Sequence, residues 1–184
     1  MANCKITQGI SNGCSDLLRV GGADKTFWVG YLSDLDTPFS IAQEADIGTI
    51  DFGAYGGLYR FDGNKFAHSF GSELVVAAGG NKSYKHTFVA KVLSNSTADD
   101  TTLQELNLGT DIFIIAQDNN ENFFILGASK GLSTETDVQN TGQTGDADAS
   151  DTVTLTGSER TKPLRFRLNG GYAATLAYLE GMEI

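Results

Sequence analysis

Apolar positions in this chain recur mostly at the two-residue period of strands. Thr26-Phe27-Trp28-Val29-Gly30-Tyr31-Leu32 is dominated by β-branched and aromatic residues and predicts a strand. Residues 33–46, with Pro38 and scattered acids, read as a loop. From residue 48 to 94 strand follows strand. Two short ones at 50–52 and 58–61 precede a turn at Asp62-Gly63-Asn64, and two long stretches, 65–78 and 81–93, flank Gly79-Gly80. Glycine supplies the positive φ of tight turns, so the long stretches predict one extended hairpin. A two-residue loop would set Phe66 against Leu93, Phe70 against Val89, Val75 against Tyr84, His68 against Lys91, and Glu73 against His86 as a cross-strand pair. One face would carry Phe66, Phe70, Val89 and Leu93, the other Ala67, Val75, Tyr84, Phe88 and Val92. Apolar residues on both faces call for two coverings, the domain's own core and a second surface such as a neighbouring subunit.

The best helix signal lies at 96–109. Thr101 and Gln104 have capping-box spacing, Leu103 and Leu106 share a face, Gly109 fits the stop, and Asp99 and Asp100 suit the positive end of the dipole. Segments 112–116 and 123–127 flank the turn Asp118-Asn119-Asn120-Glu121-Asn122. Apolar at consecutive positions, they predict a hairpin buried on both faces at the centre of a sheet. Residues 133–138 continue extended, 139–150 read as a mobile acidic loop, and 152–156 alternate as a half-buried strand. Leu164, Phe166 and Leu168 alternate with Arg165 and Arg167 before the turn Asn169-Gly170-Gly171. Segment 172–179 fits either a return strand or a short helix. Residues 1–25 are rich in turn formers: Gly9, Asn12-Gly13 and Gly21-Gly22.

With 184 residues the chain suits one domain, and with 40% hydrophobic and 20% charged residues it is globular rather than disordered. No apolar run approaches the ~18–20 residues of a membrane span. The first residues lack the apolar core of a secretory signal. Glycine at 22 against proline at 2 suits a β-rich chain with glycine turns. The net charge of −10 is segregated. Residues 1–94 carry 8 basic and 9 acidic side chains, residues 95–160 carry 2 and 12, and residues 161–184 carry 3 and 2. The acidic third argues against tight binding to nucleic-acid phosphates, though not against an acidic wall past which DNA slides.

Catalytic and ligand motifs are missing. No G-x-S-x-G elbow and no phosphate-binding G-x-x-x-x-G-K-[ST] occurs, and both histidines, His68 and His86, fall within the hairpin. The Asp118 turn resembles a calcium loop in composition but lacks its glycine and glutamate spacing. No cofactor and no metal is expected. Cys4 and Cys14 lack a nearby histidine; they read as reduced residues packing an N-terminal loop, with a disulfide only under oxidising conditions. The sequons at Asn81 and Asn95 read as chance matches.

Several segments in order carry a resemblance. They are Cys4 and Cys14 followed by Gly21-Gly22 and Phe27-Trp28-Val29, the long hairpin, and the helix around Leu103 and Leu106 leading into Ile112-Phe113-Ile114-Ile115. Next come Asp118-Asn119-Asn120-Glu121-Asn122-Phe123-Phe124-Ile125-Leu126-Gly127, Gly131-Leu132, the Thr141–Asp146 region, and Val153-Thr154-Leu155-Thr156-Gly157-Ser158-Glu159. Over residues 1–160 the chain resembles the tail-tube-type structural proteins of tailed bacteriophages, in particular those of Bacteroidetes phages and prophages; residues 161–184 form a basic extension beyond it. The resemblance implies a mainly β, sandwich- or barrel-like subunit with one flanking helix. It implies hexameric rings stacked into a virion tube, assembled in the host bacterial cytoplasm, that conducts double-stranded DNA without reading it. The expected partners are further copies and other virion proteins, with no membrane span and no enzymatic activity. The candidate inter-subunit residues are Phe66, Phe70, Val75, Tyr84, Phe88, Val89, Lys162, Arg165 and Arg167. The basic strand 162–167 is expected to dock on the acidic region of a neighbour, and the extension to pack on its own domain or on that neighbour. The alternatives are another virion ring or decoration protein (a head–tail connector, a tail terminator or a capsid decoration protein), and a soluble β-sandwich that binds sugars or peptides.

Overall fold

The structure, a computed structural model, describes residues 21–39, 48–54, 56–63, 67–92, 96–140 and 150–184. Strand β1 (Ala23–Tyr31) leads through a 3-10 turn (Leu32–Asp34) toward β2 (Tyr59–Asp62), β3 (Ser69–Val76) and β4 (Lys82–Val92). Helix α1 (Thr97–Leu108) precedes β5 (Ile112–Asp118), β6 (Phe123–Leu126), β7 (Ser133–Asn140), β8 (Ser150–Glu159), β9 (Leu164–Phe166) and α2 (Gly171–Glu180). The strands form two antiparallel sheets, ordered β2-β1-β5-β6-β9 and β3-β4-β8-β7. The fold is mainly β and sandwich-like, with no closed barrel.

The consecutive apolar run of β5 has a direct structural reason: its sheet is covered on both faces. Ile112, Ile114 and Ala116 join Phe27, Val29, Phe88, Ala90 and Leu155 between the sheets. Phe113 and Ile115 face the opposite way, among Trp28, Leu58, Phe123 and Leu179, where α2 and Leu32, Leu35, Phe39, Ile50 and Phe52 form a third layer. Leu103 and Leu106 of α1 plug one end of the inter-sheet core. Each fully buried Phe or Ile contributes ~1.5–3 kcal/mol relative to exposure.

Two close approaches place the five-stranded sheet on β4. Gly63, just past β2, lies so close to Lys91 that a Cβ there would meet the Lys91 carbonyl oxygen at 2.6 Å. Gly127, just past β6, donates its amide to His86 Nδ1 at 3.3 Å. The strand order of the five-stranded sheet thus runs along β4: β2 lies over its C-terminal end and β6 over its N-terminal half.

Two expectations change and two open alternatives are decided. The long hairpin is offset by one residue: Phe70 faces Phe88, Ser72 faces His86, Glu73 faces Lys85, and Leu74 faces Tyr84. The cause is the loop, which spans Ala78-Gly79-Gly80 rather than two glycines. Ala77 N donates to Asn81 O at 2.8 Å, and Gly80 takes the positive φ of +82°. The α1 cap is Ser96, whose hydroxyl accepts from the Asp99 amide at 3.2 Å, whereas Thr101 lies inside the helix and donates to the Thr97 carbonyl. Segment 172–179 is helical, so a second helix accompanies the expected one. Finally, the 161–184 segment packs on its own domain: β9 pairs with β6, and Glu183 accepts from Trp28 Nε1 at 2.9 Å.

Candidate inter-subunit surface

The β3–β4 hairpin outruns the sandwich. β4 pairs with β8 as far as Tyr84 opposite Glu159, whereas β3 continues with β4 to Val76 opposite Lys82. Residues 74–83 therefore project as a two-stranded arm. On it Leu74, Val75 and Val76 are 48%, 41% and 57% exposed. An apolar strand with a free edge is an aggregation hazard unless something covers it.

Among the described residues, β3 and β7 are the two open edges of the four-stranded sheet. Its outer face is rich in hydroxyls. Thr87, Thr156 and Ser133 form one cross-strand row; Val89, Thr154 and Thr136 the next; Lys91, Thr152 and Val138 a third. Lys85 on this face is offset by Glu135, 3.3 Å from its Nζ, and by Glu73 across the ladder. Alternation of period two explains the pattern: the same strands turn Phe88, Ala90, Val153 and Leu155 inward.

The residues singled out from the sequence are dispersed. Val75 is exposed on the arm, and Tyr84 and Val89 are half-buried on β4. Phe70 is half-buried at the core's margin, its ring 5.4 Å from Phe124. Phe88 is fully buried between the sheets and is no interface residue: on β4 it alternates with outward Thr87 and Val89 and packs against Phe27. Lys162, Arg165 and Arg167 are exposed, with the Arg165 guanidinium 5.7 Å over the Phe124 ring. Phe66, Leu93, Cys4, Cys14 and positions 141–149 of the acidic loop lie outside the described residues.

The Glu73–His86 pair does not form. His86 is buried, with Nε2 donating to the Thr161 carbonyl at 2.8 Å and Nδ1 accepting from Gly127. His68 repeats the arrangement, donating from Nε2 to the Lys25 carbonyl at 3.0 Å and accepting from the Lys91 amide at 3.1 Å. Burial lowers both histidine pKa values, opposed at His86 by the Thr161 contact and Glu159, and at His68 by Lys25, Asp24 and Asp62. Buried Glu159 accepts from the amides of Ser129 and Lys130, the latter at 2.8 Å, and from the Ser129 hydroxyl. These contacts satisfy the polar groups of the β6–β7 connection and leave neither ring free as a base.

Two features escaped the sequence reading because they join distant segments. Asp151, 5% exposed, shares a cavity of about 170 Å³ with Asp100 and Asp137; burial first, then these two carboxylates, raises its pKa. A second cavity, of about 90 Å³, opens between β2 and α1 and is lined by Tyr31, Tyr59, Phe61, Thr102, Glu105 and Leu106, among others. Burial, Tyr59, Glu105 and Asp34 together raise the Tyr31 pKa. Among the described residues no group of three or more His, Cys, Asp or Glu side chains is placed to hold a metal ion, and no helix is long and apolar enough to cross a membrane. Comparison of the chain with family models, with curated proteins and with solved structures finds no match.

Proposed function

We propose that the chain is a non-enzymatic structural subunit that closes into rings, hexameric in the tail-tube arrangement, and stacks into a tube through which double-stranded DNA passes. The observation that carries this reading is the four-stranded sheet, both of whose edges are open among the described residues. Three successive antiparallel pairings make β3 and β7 run in opposite directions. A second copy, rotated about a ring axis without being inverted, brings its β7 beside β3 in antiparallel alignment. Each seam then continues the ladder, and ring closure leaves no edge in this sheet. The hydroxyl-rich outer face suits a lumen wall, since it offers no basic stripe to hold phosphates. The cavity between the β5–β6 turn and α2 holds about 260 Å³. A larger one, about 760 Å³, is walled by glycines, Thr49, Asn169 and Arg167 with Leu168 as its one large apolar side chain, unlike the apolar and aromatic lining of usual ligand pockets, which disfavours a ligand-binding module.

Electron microscopy of the purified full chain tests the reading. Hollow rings or tubes are expected. A monodisperse monomer at every concentration and salt condition would reject it.

A further inference from the structure

The arm and the β2–α1 groove lie at opposite ends of the molecule. Lys82 stands in the arm at the start of β4, and Lys91 lies nine residues along the same strand, a span of ~30 Å at 3.3–3.4 Å per residue. Gly63, at the end of β2, abuts Lys91. Tyr59 and Phe61 of the same strand line the groove, with α1 as its other wall.

Chemistry matches across that distance. The arm presents Leu74, Val75 and Val76 together with exposed Lys82, which has no ion pair among the described residues. The groove presents an aromatic floor, with Tyr59 41% exposed, under a rim that carries Glu105. Leu108, three residues after Glu105 and on the same helix face, is 84% exposed. At about 90 Å³ the cavity falls below the ~150 Å³ that admits benzene, and so suits one aliphatic side chain. The acidic rim would repel a lone carboxylate ligand and attract a lysine beside an apolar knob.

We infer that the arm of one copy of this chain seats in the β2–α1 groove of the next copy along the stacking axis, with Val75 or Val76 filling the cavity and Lys82 meeting Glu105. The inference rests on the ring reading for the direction of stacking, but the contact itself needs only two copies. Knob and groove are different surfaces at opposite ends, so the contact is heterologous and propagates without closing on itself. It covers the apolar arm that the sandwich leaves bare and ties each ring to the next.

Cross-linking of the full chain tests it. A variant with Cys4→Ser and Cys14→Ser carries Val76→Cys and Thr102→Cys. Mild oxidation should join the copies into a ladder of dimers, trimers and longer chains. Single-cysteine controls should stop at dimers or below. Lys82→Glu should shorten stacks seen by electron microscopy at least tenfold, and adding Glu105→Lys should restore them. Absence of the ladder, or full-length stacks in Lys82→Glu, overturns the inference. Rings without a ladder reject the arm contact and keep the ring reading; a ladder without rings does the reverse.

Discussion

At His86 and His68 the same physical demand is met in the same way. Each ring is buried at a crossing of the two sheets, donates through Nε2 to a carbonyl and accepts at Nδ1 from an amide. That geometry requires the neutral ring, since a protonated Nδ1 would face an N–H donor. Their folded pKa values lie below the ordinary value of 6.5, so the unfolded chain binds more protons as acid is added. The stability they contribute is complete above pH 6.5 and is lost as pH falls through the folded values. Thermal melts should move down when pH drops from 7.5 to 5.5. A His86→Gln variant should show a shallower decline, because one of the two titrations is gone. Asp151, with its raised pKa, acts in the other direction and at lower pH, within the carboxylate range. Phe88 gives a second test at this scale. Truncation to alanine opens a cavity between the sheets beside Phe27, whose ring lies 4.8 Å away. Phe88→Ala should cost about 3–5 kcal/mol in denaturant unfolding, whereas an interface residue would leave the isolated chain's stability nearly unchanged.

Among the elements, helix α1 depends on Ser96 and Gly109, not on Thr101. Ser96→Ala should destabilise the chain by about 1 kcal/mol, about 2–4 °C of melting temperature in a domain of this size; Thr101→Ala should do much less. The contrast shows what was legible in the sequence. Leu103 and Leu106 were readable from spacing alone, because burial of a helix face leaves a period. The cap was not, because two hydroxyl residues competed for one role and only the backbone turn at Ser96 decides it. The centre of the five-stranded sheet was legible for the same reason as the helix face: Ile112 to Ala116 has no polar position to turn outward. The hairpin register was not legible, since Ala78 can sit in a strand or a loop. One residue of loop length sets Phe70 beside Phe88 on the inward face, where the expected register had set it beside Val89. Helix α2 was ambiguous because 172–179 is apolar at nearly every position. The positive φ values at Gly170 and Gly171, which turn the chain into it, become visible only in three dimensions. The β2–α1 groove and the Asp151 cavity join segments far apart in sequence, and no local pattern announces either.

For the whole molecule, charge and shape divide the surface into regions of different character. The outer face of the four-stranded sheet is hydroxyl-rich with Lys85 offset by Glu135, while exposed Arg165 lies on β9, the far edge of the other sheet, and exposed Arg167 follows just past it. If the hydroxyl face lines a DNA passage, its lack of net positive charge is a working property. Replacing Thr152, Thr154 and Thr156 with lysine should create salt-sensitive duplex binding. Three phosphate contacts predict a slope near −2.7 in a plot of log affinity against log salt. Gel shifts at 50 and 200 mM salt would show it, and the parent chain should show no comparable binding. A triple variant that binds no better than the parent would remove that face from consideration as a lumen wall.

The position of β4 has a mechanical consequence. This strand runs from the projecting arm to the end where α1 closes the core, paired with β3 on one side and β8 on the other. A pull applied between the arm and that end acts along the strand. Its ladder bonds are then loaded side by side, in shear, rather than one after another as in unzipping. Stretched from tip to base, the molecule should yield at high force in a single step; pulled across the sheet, from β3 to β7, the same bonds should give way one by one at low force. A stack held together through such arms would be stiff against extension and compliant toward opening at its seams.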